Sequence, residues 1–560
     1  MIVNGTARGT AERRPRLRLP TVAFEPLVSG DTSSAPASAS SLWWLALLAS
    51  SLVIVAPLLV TEIPPLLDYP NHLARMEVLA HGAGDPFLSR MYATQWRILP
   101  NIAMDAIVPA MLDLMPLYVA GRCIIALALL LPFLGSVFLH VSLFHRRSFW
   151  PLSAALVVYN ELLFVGFLNF LIGLGLALVG AAIWVRTLRR PIARLATAFL
   201  FGMVIFFCHL IALAIYGFLI FALEVAMATE VRPGVRPIRL PHPARLIGMA
   251  LPFVIPAVLY LHAPLVGERA QLYWGPLLKV EGVFAGFTTY SLVLDGAALL
   301  FAIGTVAWCW RKARLSVSRA LLIAFAALCV LYPVTPFAAK GTGFIDQRLP
   351  PVASFLLFAG TLPIGLSRRQ RRAVSVGMIA IISMRFVDIG SVWYRHADDI
   401  AAFRRVIAPI EPGARVLAVT VAAEDVSGFY EGQPRSRFFL FGHSAIMHLP
   451  ALALIERRAF WPLLFTAPTK QPLKVLAPYS SIAVNEGMAP SYTWLSAGPG
   501  LKLPYDAPYL ANWQSNFNYV IVLFAGKLPD AAKLRPNLLS PLVITDVAAL
   551  YRITHAAPVP

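Results

Sequence analysis

Residues 41–60 have the sequence SLWWLALLASSLVIVAPLLV, and residues 61–75 continue as TEIPPLLDYPNHLAR. The first stretch is apolar and close to the roughly 20 residues that cross a bilayer as a helix. Backbone groups in lipid must form hydrogen bonds within their own segment, so this stretch predicts a transmembrane helix. The second stretch brings Asp68, His72 and Arg75 to the end of that helix. The sequence therefore predicts a cluster of ionisable groups at a membrane surface.

Apolar runs of similar length recur through a chain that is 58% hydrophobic, with a mean hydropathy of +0.70. We predict an α-helical polytopic membrane protein with about eleven transmembrane helices. The predicted spans are residues 41–61, 117–144, 149–166, 168–186, 193–208, 210–229, 245–263, 289–310, 319–336, 350–366 and 373–393.

The formal net charge is +19, and much of the excess lies in short basic clusters between the apolar runs. Short loops rich in Lys and Arg face the cytoplasm, which excludes nucleic acid as the first explanation of the charge. We therefore expect a cytoplasmic N-terminus, with residues 1–40 as a disordered tail and the first helix uncleaved. The clusters that set this orientation are Arg146-Arg147, Arg186 with Arg189-Arg190, Arg232 with Arg236 and Arg239, Arg311-Lys312 with Arg314, and Arg368-Arg369 with Arg371-Arg372.

The transmembrane domain is predicted over residues 41–393, with outer loops at 62–116, 264–288 and 337–349. An odd number of helices puts residues 394–560 on the side of Asp68, as a periplasmic domain of a bacterial inner-membrane protein. Strands that alternate with a helical pattern predict that this domain is a small α/β unit. The expected strands are Arg415–Val421, Tyr519–Phe524 and Leu550–Thr554, and the expected helix is about Ser444 to Arg458.

Asp68 has two interpretations. Asp is a preferred N-cap, and Pro70 suits the first turn of a helix that begins here. At a membrane surface, however, its carboxylate is also placed to take a proton from an attacking hydroxyl as a general base. His72, four residues later, would orient Asp68 or tune its pKa. Arg75 would lie about one turn beyond His72.

Arg348 precedes the apolar run that begins at Pro350. An arginine at such a boundary either extends toward the interface or forms two parallel hydrogen bonds to a phosphate. Lys340 and the flexible Gly341 and Gly343 in the same loop favour phosphate binding. The hypothesis is that Arg348 and Lys340 hold a phosphate on the side of Asp68.

Two more ionisable residues lie near the same predicted surface. Arg122, near the outer end of its helix, would extend to the interface or meet a phosphate. His209 lies between two apolar helices and is either a boundary residue or a residue that lines the site. A polar cluster at one tight turn either caps helix ends or forms the floor of a cavity; it consists of Tyr159, Asn160, Glu161 and Asn169.

Other ionisable residues fall inside the predicted helices, where they are costly and suggest a function. Arg385 and Asp388 are three residues apart and are predicted to pair on one helix face. Asp398-Asp399, after the last predicted span, is interpreted as a solvated face. There is no nucleotide-binding loop, and no Asp-x-Asp or His-x-x-x-His pattern occurs in the outer loops. We therefore expect no metal and no other cofactor.

The carboxylate just after helix one, together with Asp346-Gln347-Arg348-Leu349-Pro350-Pro351, resembles the GT-C superfamily of polytopic glycosyltransferases. Among its members that use polyprenyl-phosphate sugars are protein O-mannosyltransferases and the aminoarabinose transferase of lipid A. The resemblance implies that Asp68 is the catalytic carboxylate and that Arg348 contacts the carrier phosphate. Asp68 is followed by Tyr69-Pro70-Asn71, which departs from the Asp-Glu or Asp-x-Asp pairing usual in the family.

The expected function is inverting transfer of a sugar from a polyprenyl-phosphate carrier to a lipid, glycan or protein acceptor at the outer face of the membrane. The expected partners are the lipid-linked donor, the acceptor and membrane lipid, and not nucleic acid. A transporter or flippase of a lipid-linked envelope precursor is the alternative, and a non-catalytic envelope-assembly scaffold is another. An enzyme would gather its polar groups at the outer rim, whereas a transporter would place them along a path through the midplane.

Overall fold

The structure is a computed structural model that describes residues 23–24, 37–229, 243–267, 271–496, 508–531 and 534–554. Most of these residues are helical, and short strands are confined to small sheets. The predicted disordered tail, residues 1–40, lies largely outside the described residues. Within it, Ala23–Phe24 form a strand, and the first helix begins at Ala37.

The described helices include long apolar ones and short ones that cover their ends. In chain order they are α1 (Ala37–Val55), α2 (Tyr69–His81), α3 (Leu88–Met91), α4 (Ala103–Met111), α5 (Leu117–Phe144), α6 (Glu161–Val165), α7 (Leu168–Arg186), α8 (Pro191–Cys208), α9 (Leu210–Ala228), α10 (Pro243–Ala250), α11 (Val254–Leu261), α12 (Pro276–Gly282), α13 (Leu292–Arg311), α14 (Arg319–Val334), α15 (Leu349–Gly360), α16 (Arg368–Ile407), α17 (Ala451–Arg457) and α18 (Trp513–Asn516).

Among the described residues, seven helical segments are long and apolar enough to cross a membrane. They contain α1, α5, α7, α8, α9, α13 and α16, which correspond to seven of the predicted spans. The other four predicted spans are shorter or broken. Residues 149–166 form a 3-10 helix, Trp150–Val157, followed by α6, and residues 245–263 are interrupted by a 3-10 turn at Leu251–Phe253. The total of eleven spans therefore stays a prediction.

Helices α5 and α7 form the centre of the helical part, where small residues allow close contact. A Cβ atom added at Gly175 would lie 2.4 Å from the backbone carbon of Leu131, and one added at Gly135 would lie 2.8 Å from the carbonyl oxygen of Gly175. A larger residue at either position would push the two helices apart. Most of α7 is buried, which explains why its sequence is apolar on every side.

The basic clusters that the structure describes share one end of the helices, called here the basic end. Contacts near this end join Trp43 to Ser148, Arg194 to Trp184, Arg319 to Thr229, and Arg314 to Gln370. Arg232, Arg236 and Arg239 lie outside the described residues. The gathering of basic side chains at one end is the charge asymmetry on which the predicted orientation depends.

The strands belong to three sheets. In chain order they are β1 (Ala23–Phe24), β2 (Tyr92–Thr94), β3 (Leu315–Val317), β4 (Thr361–Pro363), β5 (Val416–Thr420), β6 (Leu473–Val475), β7 (Tyr519–Leu523), β8 (Leu539–Ile544) and β9 (Ala548–Ile553). The first sheet has the order β1-β3-β4, the second pairs β2 with β6, and the third has the order β5-β7-β9-β8.

The third sheet confirms the three strands predicted in the C-terminal part of the chain. β5 and β7 are parallel and fully buried, as their continuous apolar sequences predict. The helix expected over about Ser444 to Arg458 is much shorter than predicted and covers only α17. The pairing of β2 with β6 joins the segment after α1 to the C-terminal segment, residues 408–554.

Helix α16 has 40 residues, so the predicted end of the last span at residue 393 falls inside it. At 1.5 Å per residue it is about 60 Å long, roughly twice the thickness of the hydrocarbon core of a bilayer. Arg437 Nη2 lies 2.7 Å from Asp399 Oδ1, which ties the C-terminal segment to the far part of this helix. Asp399 is buried, so the interpretation of Asp398-Asp399 as a solvated face was wrong for Asp399.

The predicted pairing of Arg385 with Asp388 was also wrong. Arg385 forms a buried ion pair with Asp295 of α13, and Asp388 pairs with Arg435 at 3.0 Å. The guanidinium of Arg385 also donates to the carbonyl of Phe287 at 3.0 Å. Contacts between helices therefore decide these pairings, and the spacing along one helix does not.

Candidate functional site

A cavity of about 350 Å³ lies at the end of the helices opposite the basic end. Six parts of the chain line it: the start of α2, the start of α4, the turn between α6 and α7, the junction of α8 and α9, the loop of residues 341–348, and the C-terminal segment. Its volume is within the range of roughly 300–1,000 Å³ found for ligand sites. Five of the predicted site residues lie on its wall, namely Asp68, His72, Arg75, His209 and Arg348.

Asp68 is fixed by its backbone, and its side chain faces the cavity. The backbone nitrogens of Leu67 and Asp68 donate to Phe164 and Val165 at 2.8 and 3.1 Å. Gly166 has a φ of +103°, and a Cβ atom there would lie 3.0 Å from that of Asp68. Asp68 precedes α2, but its carboxylate forms no capping hydrogen bond. The capping interpretation of this side chain was therefore wrong.

The surroundings of Asp68 disfavour its charged form. The pKa of this carboxyl is raised to about 8, chiefly by burial and also by the carboxylate of Glu486, whereas Arg75 opposes the change. The side chain is still 17% exposed, toward the cavity. A general base works best when its pKa lies near the working pH, so Asp68 is suited to accept a proton at slightly alkaline pH, where the carboxyl group is ionised.

The imidazole nearest to the Asp68 carboxylate is that of His448. Its Nε2 atom lies 3.6 Å from Asp68 Oδ1. His72 contacts Asp68 through its backbone nitrogen, which donates to the Asp68 carbonyl at 3.0 Å. Both imidazoles lie with their ring centres 5.5 Å from that of Phe465. The structure therefore gives His448 the place beside the carboxylate that the sequence suggested for His72.

Burial keeps both imidazoles neutral. It lowers the pKa of His448 to about 4, with a smaller effect from His443. It also lowers the pKa of His72 well below its ordinary value, and Arg75 and His448 add to this. These two side chains therefore act as neutral hydrogen-bonding groups in the cavity at physiological pH.

Arg75 is held by a carboxylate of its own. Its Nε atom lies 2.5 Å from Asp105 Oδ1, and its Nη2 atom donates to Asp105 Oδ2 at 3.3 Å. The Nη1 atom of Arg75 is buried without a hydrogen-bond partner in the described structure. The pair is thus electrically balanced and keeps one donor nitrogen for a ligand.

Arg348 is only 2% exposed, so it does not extend to the interface. Its Nη1 atom donates to the carbonyls of Gly343 and Phe344, both at 2.8 Å, and its guanidinium lies 4.4 Å from the ring centre of Phe167. No carboxylate of the described residues lies within ion-pair distance of it. Burial lowers its pKa to about 9, with Asp346 opposing, so the group is still charged at neutral pH. A buried cation without a counterion favours a bound anion.

His209 and Asn169 lie beside these charged groups. His209 caps α9 by accepting the backbone N–H of Ile211 at its Nδ1 atom, 3.1 Å away. The neutral ring therefore carries its proton on Nε2 and is a donor. Asn169 lines the cavity, whereas Asn160 caps α6, so both interpretations of that polar turn hold for different residues.

Two predicted site residues lie elsewhere. Lys340 donates to the carbonyl of Val266 at 2.9 Å and is not on the cavity wall. Arg122 is also absent from the wall and makes a long contact of 3.5 Å with the carbonyl of Leu58. The ammonium group that does line the cavity is that of Lys470, which lies 2.6 Å from Glu486 and 2.6 Å from the carbonyl of Gly341.

The titratable site residues that the sequence did not indicate all belong to the C-terminal segment: His443, His448, Lys470 and Glu486. No spacing connects them to Asp68 along the chain. The one available signal is the pair of histidines, five residues apart in a stretch without other ionisable groups. Among the residues that the structure describes, no group of three or more His, Cys, Asp or Glu is placed to hold a metal ion.

A second cavity, of about 600 Å³, lies between α13, α14 and α15 and is almost entirely apolar. Phe284, Trp310, Phe325 and Leu357 are among its lining residues. Leu349 also lines it, and this residue directly follows Arg348. Two consecutive residues therefore line different cavities: Arg348 lines the polar one and Leu349 the apolar one.

The sequence matches no family model and no curated protein. Among solved structures, the chain is similar to the arabinofuranosyltransferase AftD from Mycobacteria, with a TM-score of 0.44 and 14% sequence identity. The alignment covers 93% of this chain and 40% of that one. The chain thus spans well under half the length of that protein, and a similarity at this level does not assign it to a family.

Proposed function

We propose that this chain is a membrane glycosyltransferase of the GT-C type, which transfers a sugar from a polyprenyl-phosphate carrier to an acceptor hydroxyl. The proposed location is the outer face of a bacterial inner membrane, with the cavity end of the helices in the periplasm. One observation carries the proposal. The same cavity is lined by Asp68, a carboxyl group suited to accept a proton, and by Arg348, a buried guanidinium without an ion-pair partner in the described part of the chain.

The proposed reaction is a single displacement. The acceptor hydroxyl gives its proton to ionised Asp68, and its oxygen attacks the anomeric carbon of the carrier-linked sugar. The bond between that carbon and the phosphate oxygen breaks, and the carrier phosphate leaves with the electron pair. The anomeric centre is inverted, and the products are the glycosylated acceptor and free polyprenyl phosphate.

Arg348 supports the proposal because its guanidinium is fixed before a ligand binds. Two backbone carbonyls and the Phe167 ring hold it in place, so it need not reorganise as charge develops on the leaving phosphate. Preorganised charge of this kind is often the largest contribution to catalysis. His209 Nε2 and the free Nη1 of Arg75 are further donors for the phosphate or for sugar hydroxyls.

The apolar cavity supports a carrier with a long hydrocarbon chain. Its lining residue Leu349 directly follows Arg348 in the chain, and we propose that this cavity receives the hydrocarbon chain of a carrier whose phosphate binds the guanidinium. Each buried CH₂ group contributes about 0.8 kcal/mol, so even a short stretch of polyprenyl chain would bind well. The C-terminal segment, which forms one side of the polar cavity, would help select the acceptor.

The first test is the binding of polyprenyl phosphate to the purified protein in nanodiscs. Arg348→Ala should weaken binding by about 10- to 100-fold, since a hydrogen bond to a charged group contributes about 1.5–3 kcal/mol. Arg348→Lys should lie between Arg348→Ala and the parent, because it keeps the charge and loses the planar fork. Lys340→Ala is the matched control from the same loop and should bind as the parent does. If Arg348→Ala and the parent bound the carrier with equal affinity, the carrier phosphate would not be bound by Arg348.

The described charges inside the helices give less support to the alternative, a transporter. Among the described residues, Asp295 pairs with Arg385 inside the helices and Glu224 pairs with Arg194 near the basic end, so neither carboxylate is free to bind an ion on a path through the membrane. Product formation in detergent micelles separates the two functions, because micelles have no compartments between which to transport. A panel of polyprenyl-phosphate sugars that gives no transfer to any lipid, glycan or protein acceptor in micelles would contradict the proposed function.

A further inference from the structure

We infer that His448, held in one tautomer by Asn71, is a positioning residue for Asp68, and that the C-terminal segment thereby completes the catalytic centre. The inference rests on the proposed role of Asp68 as the general base. It adds a residue from a part of the chain far from Asp68 in sequence.

Asn71 determines which nitrogen of His448 carries the proton. The Asn71 Nδ2 atom lies 3.1 Å from His448 Nδ1 and donates to the carbonyl of Leu463 at 2.9 Å. A carbonyl oxygen can only accept, so the nitrogen of the Asn71 amide must face this side. His448 Nδ1 is therefore the acceptor, and the neutral ring carries its proton on Nε2.

The Nε2–H group of His448 then faces the Asp68 carboxylate. The distance of 3.6 Å is longer than a hydrogen bond, and contacts of this kind often shorten when the substrate binds. A donor at this place favours the ionised carboxylate against the effect of burial, and it fixes one carboxylate oxygen so that the other can face the acceptor. Because Nε2 already bears hydrogen, the neutral ring cannot take the proton from Asp68, so its role is to position and not to relay.

The imidazole is held rigidly enough for this role. It is only 2% exposed, and it lies against the ring of Phe465. Its two nitrogens meet Asn71 and Asp68, which are three residues apart at the start of α2 and so lie on the same side of the helix. The pairing of β2 with β6 and the packing of α17 on α2 keep the C-terminal segment in place against this helix.

Other ionisable groups also act on these two side chains. Glu486 raises the pKa of Asp68, and Arg75 lowers it. His443 lowers the pKa of His448, and both Arg75 and His448 lower the pKa of His72. The remaining charged or titratable groups on the cavity wall are Arg348, His209 and Lys470. Apart from His448 and Asp68 themselves, these residues stay unchanged in the variants below, so a difference between the His448 variants reports the contact of His448 with Asp68.

The experiment is an infrared titration of the protonated carboxyl band in the purified full-length protein in nanodiscs. Subtracting the spectrum of Asp68→Asn assigns the band to Asp68, and no sugar donor is needed. His448→Leu should raise the midpoint by about one pH unit, because the donor is lost. His448→Gln keeps an N–H group at this distance and should return the midpoint toward that of the parent.

Asn71→Asp should move the midpoint in the opposite direction. Its carboxylate would attract a proton to His448 Nδ1, so a charged imidazolium would face Asp68 and lower the midpoint by about 1–3 units. Gel filtration and melting curves establish that each variant is folded. If Asn71→Asp does not fold, the comparison of His448→Leu with His448→Gln decides the question without it.

The same midpoint in parent, His448→Leu and His448→Gln would overturn the inference, and so would equal shifts in the two His448 variants. Equal shifts in the two variants would mean that the midpoint responds to how the side chain fills this space and not to the N–H group that His448→Gln retains. Transfer assays test the proposed function independently. Inactivity toward every polyprenyl-phosphate sugar contradicts that function, whereas the titration reports the contact between His448 and Asp68 whether or not transfer is seen.

Discussion

Replacing Asp68 with asparagine is expected to stabilise the protein while it removes the proposed base. Asp68 keeps its proton in the folded state up to a pH of about 8, whereas the unfolded chain loses it near 3.8. Below pH 3.8 both states are protonated, and the residue has no effect on stability. Between these values only the unfolded state is ionised, so the free energy of unfolding falls as the pH rises. Asparagine has the same shape and no charge, so it removes this penalty.

The size of the gain follows from 1.36 kcal/mol for each pH unit. At pH 4.5 the asparagine variant should be more stable by about 1 kcal/mol, and at pH 7 by about 4 kcal/mol, with no further change above pH 8. These are upper values, because the carboxyl group is 17% exposed to the cavity. No capping hydrogen bond is lost to offset the gain. Transfer activity should fall roughly 100-fold or more with the loss of the base.

The assay is thermal unfolding in detergent from pH 4.5 to 8.5, with transfer activity measured on the same samples. Asp85→Asn is a control of opposite sign in the same part of the chain. Burial raises the pKa of Asp85, but hydrogen bonds from Leu88 and Phe87 and the charge of Arg458 outweigh it and leave the pKa lowered. The ionised Asp85 carboxylate stabilises the folded protein at pH values above the ordinary pKa of an aspartate. Asp85→Asn should therefore lower the stability of the protein at neutral pH. A stability difference for Asp68→Asn that is the same at pH 4.5 and pH 8 would refute the reasoning.

Two further predictions concern close contacts. Gly166→Ala should cost about 1–2 kcal/mol because of its positive φ, and it should lower transfer activity because the new methyl group displaces Asp68. Gly390→Ala, with open space around its Cβ position, is the control, and melting curves with activity assays compare the two. Asp295→Ala should lower stability by about 3–5 kcal/mol, since it leaves the buried charge of Arg385 uncompensated. Replacing both partners by apolar residues of similar volume should restore most of the loss in melting temperature, and a double variant as unstable as Asp295→Ala would contradict this account.

The long helices were predictable because length and hydrophobicity report directly on a bilayer. The short ones were less so. α15 has 12 helical residues before the chain enters β4, although its sequence continues apolar to residue 366. Pro252 interrupts another predicted span, since it lacks the N–H that a continuous helix needs. Apolar composition indicates burial in such segments, and it does not by itself distinguish a helix that crosses from one that ends inside.

The candidate site was also predictable only in part. The placement of Asp68 and Arg348 at one end of the helices followed from charge asymmetry, which acts over whole loops. The partner of Arg385 did not, because Asp295 and Asp388 are both aspartates and only the packing of α13 on α16 selects between them. His448 could not be connected with Asp68 either, since their contact depends on how the C-terminal segment folds back onto α2.

The contact of His448 with the start of α2 also determines when the cavity can form during synthesis of the chain. Asn71 and His448 are 377 residues apart. At the usual rate of synthesis, roughly 20–75 s pass between the addition of one and of the other. A nascent chain thus inserts most of its helices while the wall of the cavity is still incomplete. On this geometry, a chain that stops before His448 would lack the partner of Asp68, and the cavity can form only after the C-terminal segment has been synthesised.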